Sequence, residues 1–153
     1  MLYGMSIWVF LAIAAISVTA LLYVFKRPKK EILDRGMKLG VLLVIIDFVF
    51  ENAGLLLGQW KTFDSAFAIG AVPIEVIVIA FCVGMTYSML FARKFTLELA
   101  IASSLLIAIM GTGIEAALLS MSVFIYYAEW TAWHALISYF IAFLLMHKLN
   151  SIL

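Results

Sequence analysis

Four carboxylic acids lie inside apolar segments of this sequence: Asp47, Glu51, Glu75 and Glu115. Hydrocarbon cannot solvate a carboxylate, and placing one at the middle of a membrane helix costs about 2.5–3.5 kcal/mol. Acids in such surroundings commonly hold or transfer a proton, or bind a cation. These four side chains are therefore the candidate functional site.

The chemistry that suits such acids is proton transfer in a water-poor pocket. Carboxyl groups that share one pocket cannot all ionise, so at least one keeps its proton at neutral pH. That group can act as a general acid. Aromatic faces can stabilise a cationic intermediate by cation–π contact, and the candidates for this role are Trp60, Trp130 and Trp133.

The composition is that of an integral membrane protein. Hydrophobic residues make up 67% of the chain and charged residues only 12%, against roughly half and a quarter in soluble domains. The mean hydropathy is +1.18. The single cysteine, Cys82, excludes an intrachain disulfide. A net charge of +1 without a basic patch of binding size gives no indication of a nucleic-acid partner.

Five apolar segments are long enough to cross a bilayer, which requires about 20 residues. Polar or aromatic turns separate these segments. We predict an all-α bundle that forms one transmembrane domain over residues 1–153. The predicted helices cover about residues 4–25, 38–59, 69–92, 97–125 and 131–148.

The distribution of basic residues predicts the orientation. Cytoplasmic loops are enriched in Lys and Arg, and only Lys61 lies on the side opposite the other basic residues. We therefore expect an outside N-terminus, a cytoplasmic C-terminus and a multi-pass location in a prokaryotic cell membrane. The basic residues that share the cytoplasmic side are Lys26, Arg27, Lys29, Lys30, Arg35, Lys38, Arg93, Lys94 and Lys148.

This topology predicts that the acids converge in depth. Glu51 lies about eight residues before the outer end of its segment, Glu75 about six residues into the next, and Glu115 about ten residues before an outer end, which agree within about one helical turn. Asp47 lies one turn below Glu51 on the same face. His134 enters the fifth segment at a similar height. We expect one polar layer in the outer half of the membrane.

Small residues accompany the acids on two helices. Gly54 and Gly58 follow Glu51 in a small-xxx-small pattern that is typical of helix packing in membranes. Ser104, Ala108, Gly111, Glu115 and Ser122 line up on the fourth segment. Small and polar residues are therefore predicted to mark the interior, with the large aliphatic side chains facing lipid.

Two segments of the sequence resemble each other. The run ENAGLL at 51–56 is similar to EAALL at 115–119, and both runs end an outward helix that precedes an aromatic loop. The pattern predicts a parallel internal repeat of helices two–three and four–five.

Residues 40–90 resemble the integral-membrane lycopene cyclase domain family. The resemblance lies in DFVFEN at 47–52, GQW at 58–60 and GAVPIEVI at 70–77. The family carries an Asp late in one helix, a Gly-x-Trp turn, and a Pro-x-Glu that opens the next helix. Related carotenoid hydratases and small membrane terpene cyclases share parts of this pattern. The chain departs from it at Val76, where the family usually has a second acid, and at Ile46, where it often has Trp.

The resemblance and the acids together predict an intramembrane acid–base enzyme on an isoprenoid or carotenoid-like lipid. The reaction would be a cyclisation or a related non-redox isomerisation or hydration. We predict Glu75 as the catalytic acid, with Asp47 and Glu51 as proton-holding partners and Glu115 across the pocket. The predicted substrate-binding residues are Asn52, Trp60, Trp130 and His134. No cofactor is expected, and no transition-metal site is expected because Cys–His and paired-His spacings are missing, whereas a hard-cation or proton site made of the carboxylates is left open.

Each assignment has a structural alternative. Pro73 and Glu75 also suit the first turn of a helix, where a carboxylate interacts favourably with the dipole. Asp47 and Glu51 would then hold the bundle together through hydrogen bonds. His134 would be structural, and the tryptophans would be interfacial anchors.

Two other functions remain open from the sequence. The same carboxylates would serve a small proton- or cation-coupled transporter. The chain would also suit a lipid-binding membrane subunit. Its expected partners are the bilayer and a membrane lipid or isoprenoid substrate, and a homo- or hetero-oligomer is left open.

Overall fold

The computed structural model describes residues 6–65, 67–91 and 93–153. The fold is mostly helical, as predicted, and these residues contain five α-helices. Four of the helices are long and apolar enough to cross a membrane, whereas α3 has 17 residues. The chain is therefore a multi-pass helical membrane protein by length and composition. The helices are α1 (Ile7–Lys26), α2 (Lys30–Leu56), α3 (Ile74–Leu90), α4 (Leu97–Ser120) and α5 (Ala132–Ile152).

Two helices extend beyond their predicted apolar segments. α2 begins at Lys30 rather than 38, directly after Pro28 and Lys29, and α5 continues to Ile152 rather than 148. Hydropathy marks only the part of a helix that suits hydrocarbon. A helix whose backbone is already hydrogen-bonded continues into the polar region without a break. The predicted start of the first helix at residue 4 lies outside the described residues.

Four short strands were not predicted. β1 (Trp60–Thr62) pairs antiparallel with β4 (Phe124–Tyr126), and β2 (Ala68–Ile69) pairs antiparallel with β3 (Val72–Pro73). The predicted helix ends at 59 and 125 and the predicted start at 69 are therefore wrong. β2, β3 and the first two residues of β4 lie in or beside predicted apolar segments, where hydropathy does not distinguish a strand from a helix, whereas β1 lies in a predicted turn.

The described chain divides into two compact units. The first contains residues 6–53 and Asp64–Phe91, and the second contains Gly54–Phe63 and residues 93–153. The single domain expected over 1–153 stays a prediction.

In the first unit, α3 packs against α1 and against α2. A Cβ atom added at Gly84 of α3 would overlap the backbone of Gly40 on α2, so the two helices approach closely at this point. One turn away, Gly36 faces Ser88, whose Oγ donates a hydrogen bond to the Ile32 carbonyl oxygen at 3.1 Å. Small side chains make this close approach possible.

The predicted packing motif at Gly54 and Gly58 has a different role. Gly54 lies under the Trp60 ring, which leaves no room for a side chain. Gly58 lies beyond the helix with a φ of 64° and ends it. The small residues that pack α2 against another helix are instead Gly36 and Gly40.

In the second unit, α4 packs against α5. Ser104, Ala108 and Glu115 of α4 are buried, as predicted, and Gly111 faces the Tyr139 ring of α5. The predicted place of Ser122 on the same face is wrong, because α4 ends at Ser120 and Ser122 lies in the turn that follows. Large aliphatic side chains of α4, such as Leu106 and Ile109, are exposed, as expected of a surface that faces lipid.

The backbone supports the internal repeat over α2–β1 and α4–β4, with an offset of 64 residues. α2 ends at Leu56 and α4 at Ser120. Equivalent residues have positive φ in both copies: Gly58 and Ser122 directly after the helix, and Asp64 and Ala128 after the strand.

The hydrogen bonds of the two turns follow the same offset. Gln59 N–H donates to the Gly54 carbonyl at 2.9 Å, and Val123 N–H donates to Leu118 at 3.3 Å. Each is the six-residue bond of a Schellman cap. The β1–β4 ladder is centred on Lys61 opposite Ile125, and these residues are also equivalent. The two copies of the turn therefore pair with each other symmetrically.

Candidate functional site

The four predicted acids are divided between the two units. Asp47, Glu51 and Glu75 belong to the first unit, and Glu115 belongs to the second. Their convergence in one pocket therefore stays a prediction.

Asp47 and Glu51 lie one turn apart on α2 and interact electrostatically. Like charges at this spacing repel each other. Asp47 Oδ2 is buried, and no described residue gives it a hydrogen bond. Buried polar atoms in proteins usually have a hydrogen-bond partner, and a proton or a bound water molecule is small enough to supply one at Asp47 Oδ2.

Glu75 is the second residue of α3 and is buried, with 5% of its surface exposed. The helix begins at Ile74 because the chain first forms the β2–β3 hairpin, whose two-residue turn has Gly70 at a φ of 65°. The predicted depth of six residues into the helix is therefore wrong. Glu75 lies in the first turn, where both the catalytic and the dipole interpretations remain open.

Asn52 holds the turn that leads to Glu75. Its Nδ2 donates to the Phe48 carbonyl at 2.7 Å, and its Oδ1 accepts a hydrogen bond from Ala71 N–H at 3.1 Å. A side chain at Gly70 would collide with this amide. The geometry gives Asn52 a positioning role beside its predicted part in substrate binding.

Glu115 is part of a hydrogen-bonded group in the second unit. Glu115 is 9% exposed, and its carboxyl group accepts a hydrogen bond from the Tyr126 hydroxyl. The Tyr126 oxygen in turn accepts one from the Trp130 indole. Burial raises the pKa of Tyr126 well above its ordinary value, and the charge and hydrogen bond of Glu115 raise it further. Tyr126 therefore stays a neutral donor.

Tyr126 was not among the predicted site residues. The sequence placed it in the aromatic outer loop, but only the strand β4 turns its hydroxyl toward Glu115. The sequence signal was a tyrosine that follows an intramembrane acid by about three turns.

The Trp60 and Trp130 rings lie together beside this group. Their centroids are 4.5 Å apart at an interplanar angle of 53°. Trp60 is only 4% exposed, and both of its interpretations, as an interfacial anchor and as a substrate-binding residue, stay predictions. Aromatic rings of this kind can stabilise a cation that lies beside them.

His134 has defined contacts within the second unit, whereas Trp133 is exposed. The His134 ring stacks on Trp130 at 5.2 Å, and its Nδ1 accepts a hydrogen bond from Thr131 N–H at 3.2 Å as part of a capping box. This is the structural role considered for His134, and substrate binding by this residue stays a prediction. Trp133 is 72% exposed, so its suggested role in shielding a cation is not supported.

Within residues 6–65, 67–91 and 93–153, no three His, Cys, Asp or Glu side chains are grouped as metal ligands. Comparisons of this chain with family models, with curated proteins and with solved structures find no match. The resemblance to lycopene cyclases accordingly stays a prediction, and the residues and their geometry are the basis for a function.

Proposed function

We propose that this protein is an intramembrane enzyme that uses acid–base chemistry on an isoprenoid or carotenoid-like lipid. The reaction is a cyclisation or a related non-redox isomerisation or hydration. The observation that carries the proposal is the chain of hydrogen bonds from Trp130 through Tyr126 to the buried Glu115, with Trp60 beside it. The resemblance of residues 40–90 to the lycopene cyclase domain family supports the same chemistry.

The reaction begins with proton transfer to an alkene. A protonated carboxyl group gives its proton to one carbon of a double bond, and the other carbon becomes a carbocation. The cation is then attacked by a second double bond or by water, and loss of a proton completes the reaction. The Tyr126 hydroxyl stabilises the carboxylate that remains on Glu115, because its hydrogen bond strengthens as charge develops. The Trp60 and Trp130 faces stabilise the cation.

Two acids are candidates for the proton donor. The sequence favours Glu75, with Asp47 and Glu51 as proton-holding partners. The hydrogen bond from Tyr126 makes Glu115 the second candidate. A Gln at either position keeps the size of the side chain and its hydrogen bonds but cannot give up a proton.

The test compares Glu75→Gln, Glu115→Gln and the control Glu98→Gln in membranes. Glu98 is exposed in the first turn of α4. The measurement is conversion of lycopene-like and shorter isoprenoid substrates, followed by chromatography. Loss of the acid should lower the rate about 10²–10⁴-fold, because this is the usual contribution of general acid–base catalysis. The control should retain wild-type activity.

A second outcome separates catalysis from a structural role of Glu75. If Glu75 serves only the helix dipole, Glu75→Gln keeps its activity and loses about 0.3–1 kcal/mol of stability. A thermal melt of each variant measures that loss. Normal turnover by both Gln variants would reject the acid–base proposal.

A proton- or cation-coupled carrier is the second candidate, because the α2–β1 and α4–β4 copies form an internal repeat of the kind on which many transporters are built. If the wild type converts no isoprenoid, Asp47→Asn and Glu115→Gln should abolish proton- or cation-coupled uptake into vesicles. A lipid-binding subunit would show neither activity.

The proposal includes the topology expected from the sequence. Five helices cross the membrane, with the N-terminus outside and the C-terminus in the cytoplasm, and a prokaryotic cell membrane is the expected location. The excess of basic residues at the connections 27–29 and 91–96 supports this orientation.

A further inference from the structure

We propose that the groove between α1 and α3 binds an anionic phospholipid of the inner leaflet, with a hydrocarbon chain in the groove and the phosphate at Lys26. This inference does not depend on the proposed enzymatic function. The site shares no residue with the acids.

The groove has a volume of about 340 Å³ and lies entirely within the first unit. It follows α1 for about two turns, or about 12 Å. The threonine hydroxyl groups nearby are already paired: Thr19 Oγ1 donates to the Ala15 carbonyl at 2.8 Å and lies 3.0 Å from Thr86 Oγ1. The surface left to a ligand is therefore apolar. Its walls include Ile16, Ala20 and Val24 of α1 and Cys82, Met85 and Met89 of α3.

A cation lies at one end of this groove. Lys26 Nζ donates a hydrogen bond to the Met89 carbonyl oxygen at 3.1 Å, and Met89 itself lines the groove. The ammonium group is thereby held where the apolar surface ends. Two of its three hydrogens remain for another acceptor.

Further positive charge follows in the chain. Arg27 ends α1 in a left-handed conformation, and Lys29 and Lys30 come directly after Pro28. Glu31 and Asp34 on the first turns of α2 offset two of these four cations. The net charge of these six residues is therefore positive.

An apolar groove that ends at a cation is complementary to a lipid with an anionic headgroup. Free phosphate would make no contact with the apolar groove, and a neutral lipid would gain no charge interaction with Lys26. Each basic residue near an anionic membrane surface contributes roughly fivefold to lipid affinity, the equivalent of about 1 kcal/mol. The inner leaflet is the one that the predicted orientation gives to Lys26.

The test measures lipid binding to the purified full-length chain by native mass spectrometry. The probes are phosphatidylglycerol, which is anionic, and phosphatidylcholine, which is zwitterionic, with matched chains. Wild type should prefer phosphatidylglycerol. Lys26→Gln should weaken phosphatidylglycerol binding about fivefold and leave phosphatidylcholine nearly unchanged, whereas Lys26→Arg should retain the preference. Lys94→Gln, which removes an exposed cation outside the groove, is the control.

A second variant tests the apolar part of the site. Ala20→Phe fills the groove and should weaken both lipids, whereas Ile141→Phe on the exposed face of α5 should weaken neither. Equal affinity of the wild type for the two lipids would overturn the proposal. So would equal losses in Lys26→Gln and Lys94→Gln. If Ala20→Phe fails to fold, the Lys26 series alone decides.

Discussion

The hydrogen bond from Tyr126 to Glu115 ties a phenol outside the helices to a carboxyl group within α4. A phenol donates only while it is neutral, and the nearby carboxyl group opposes its ionisation. The same contact therefore has two consequences: it orients Glu115, and it raises the pKa of Tyr126. Orientation matters for proton transfer because a donor misplaced by 1 Å is much less effective.

The Tyr126 contact predicts a dependence of stability on high pH. Its pKa is higher in the folded protein than in the unfolded chain, so its contribution is fully present below the ordinary tyrosine value of about 10. That contribution is lost as the pH rises through the higher folded value. We expect the melting temperature of the wild type to fall at alkaline pH more steeply than that of Tyr126→Phe.

Absorbance of tyrosinate provides an independent measurement, because Tyr126→Phe should remove a tyrosine that titrates above the ordinary pKa range. Tyr127→Phe is the matched control, since it changes the adjacent aromatic residue. Identical alkaline titrations of wild type and Tyr126→Phe would contradict the hydrogen bond to Glu115.

The site could be predicted from the sequence only where the residue type itself shows that burial is energetically costly. A carboxylate in an apolar run is conspicuous, so Glu75 and Glu115 were found and are indeed buried. Tyr126 was assigned to the interface because aromatic residues are common there, and Trp60 was predicted to bind substrate, with an interfacial anchor as the alternative. Their inward orientation depends on the strands β1 and β4, which hydropathy does not reveal.

At the scale of elements, helix packing depends on glycines that the sequence does not rank. The chain contains several small-xxx-small patterns, and only the structure shows that Gly40 and Gly84 meet. Gly113, by contrast, is exposed, and a Cβ atom added there would have no heavy atom of a neighbouring element within 4 Å. A side chain at Gly84 would therefore collide with α2, whereas a side chain at Gly113 would be accommodated.

Gly84→Ala and Gly113→Ala form a matched pair. The first should lower the free energy of unfolding by about 1–3 kcal/mol, because the new methyl group meets the α2 backbone. The second should leave stability unchanged or raise it by up to about 1 kcal/mol, since Ala favours the helix. Thermal melts in detergent measure both. A stabilising Gly84→Ala would contradict the close approach of α2 and α3.

The number and rough position of the helices could be predicted because about 20 apolar residues have few alternatives in a membrane. Their ends could not. α2 ends at Leu56 and α4 at Ser120, and the chain then turns at Gly58 and at the equivalent Ser122, which adopts positive φ without being glycine. The repeat was visible in the sequence at Glu51 and Glu115, and the turns follow the same offset.

At the scale of the whole molecule, the β1–β4 ladder restricts the topology. β1 follows α2 and β4 follows α4, and the two strands pair through Lys61 and Ile125. Paired strands lie on the same side of a membrane. Between them the chain must therefore cross an even number of times, so if α4 crosses, α3 crosses as well.

The length of α3 does not prevent this. Its 17 residues measure about 26 Å, against a hydrocarbon thickness of about 30 Å. A difference of this size costs fractions of a kcal/mol per Å and is accommodated by local thinning of the bilayer. If α3 did not cross, Arg93 and Lys94 would lie outside, against the preference of basic residues for the cytoplasm.

Single cysteines at Lys94 and Glu129 distinguish five crossings from four. Both positions are exposed and lie outside the helices. In a Cys82→Ala background, a membrane-impermeant maleimide applied to intact cells should label Glu129→Cys and should label Lys94→Cys only after lysis. If α3 does not cross, the pattern is reversed, because the chain reaches α4 from outside. That result would place β1 and β4 on opposite faces of the membrane, which is incompatible with their pairing, so the experiment tests the ladder and the orientation together.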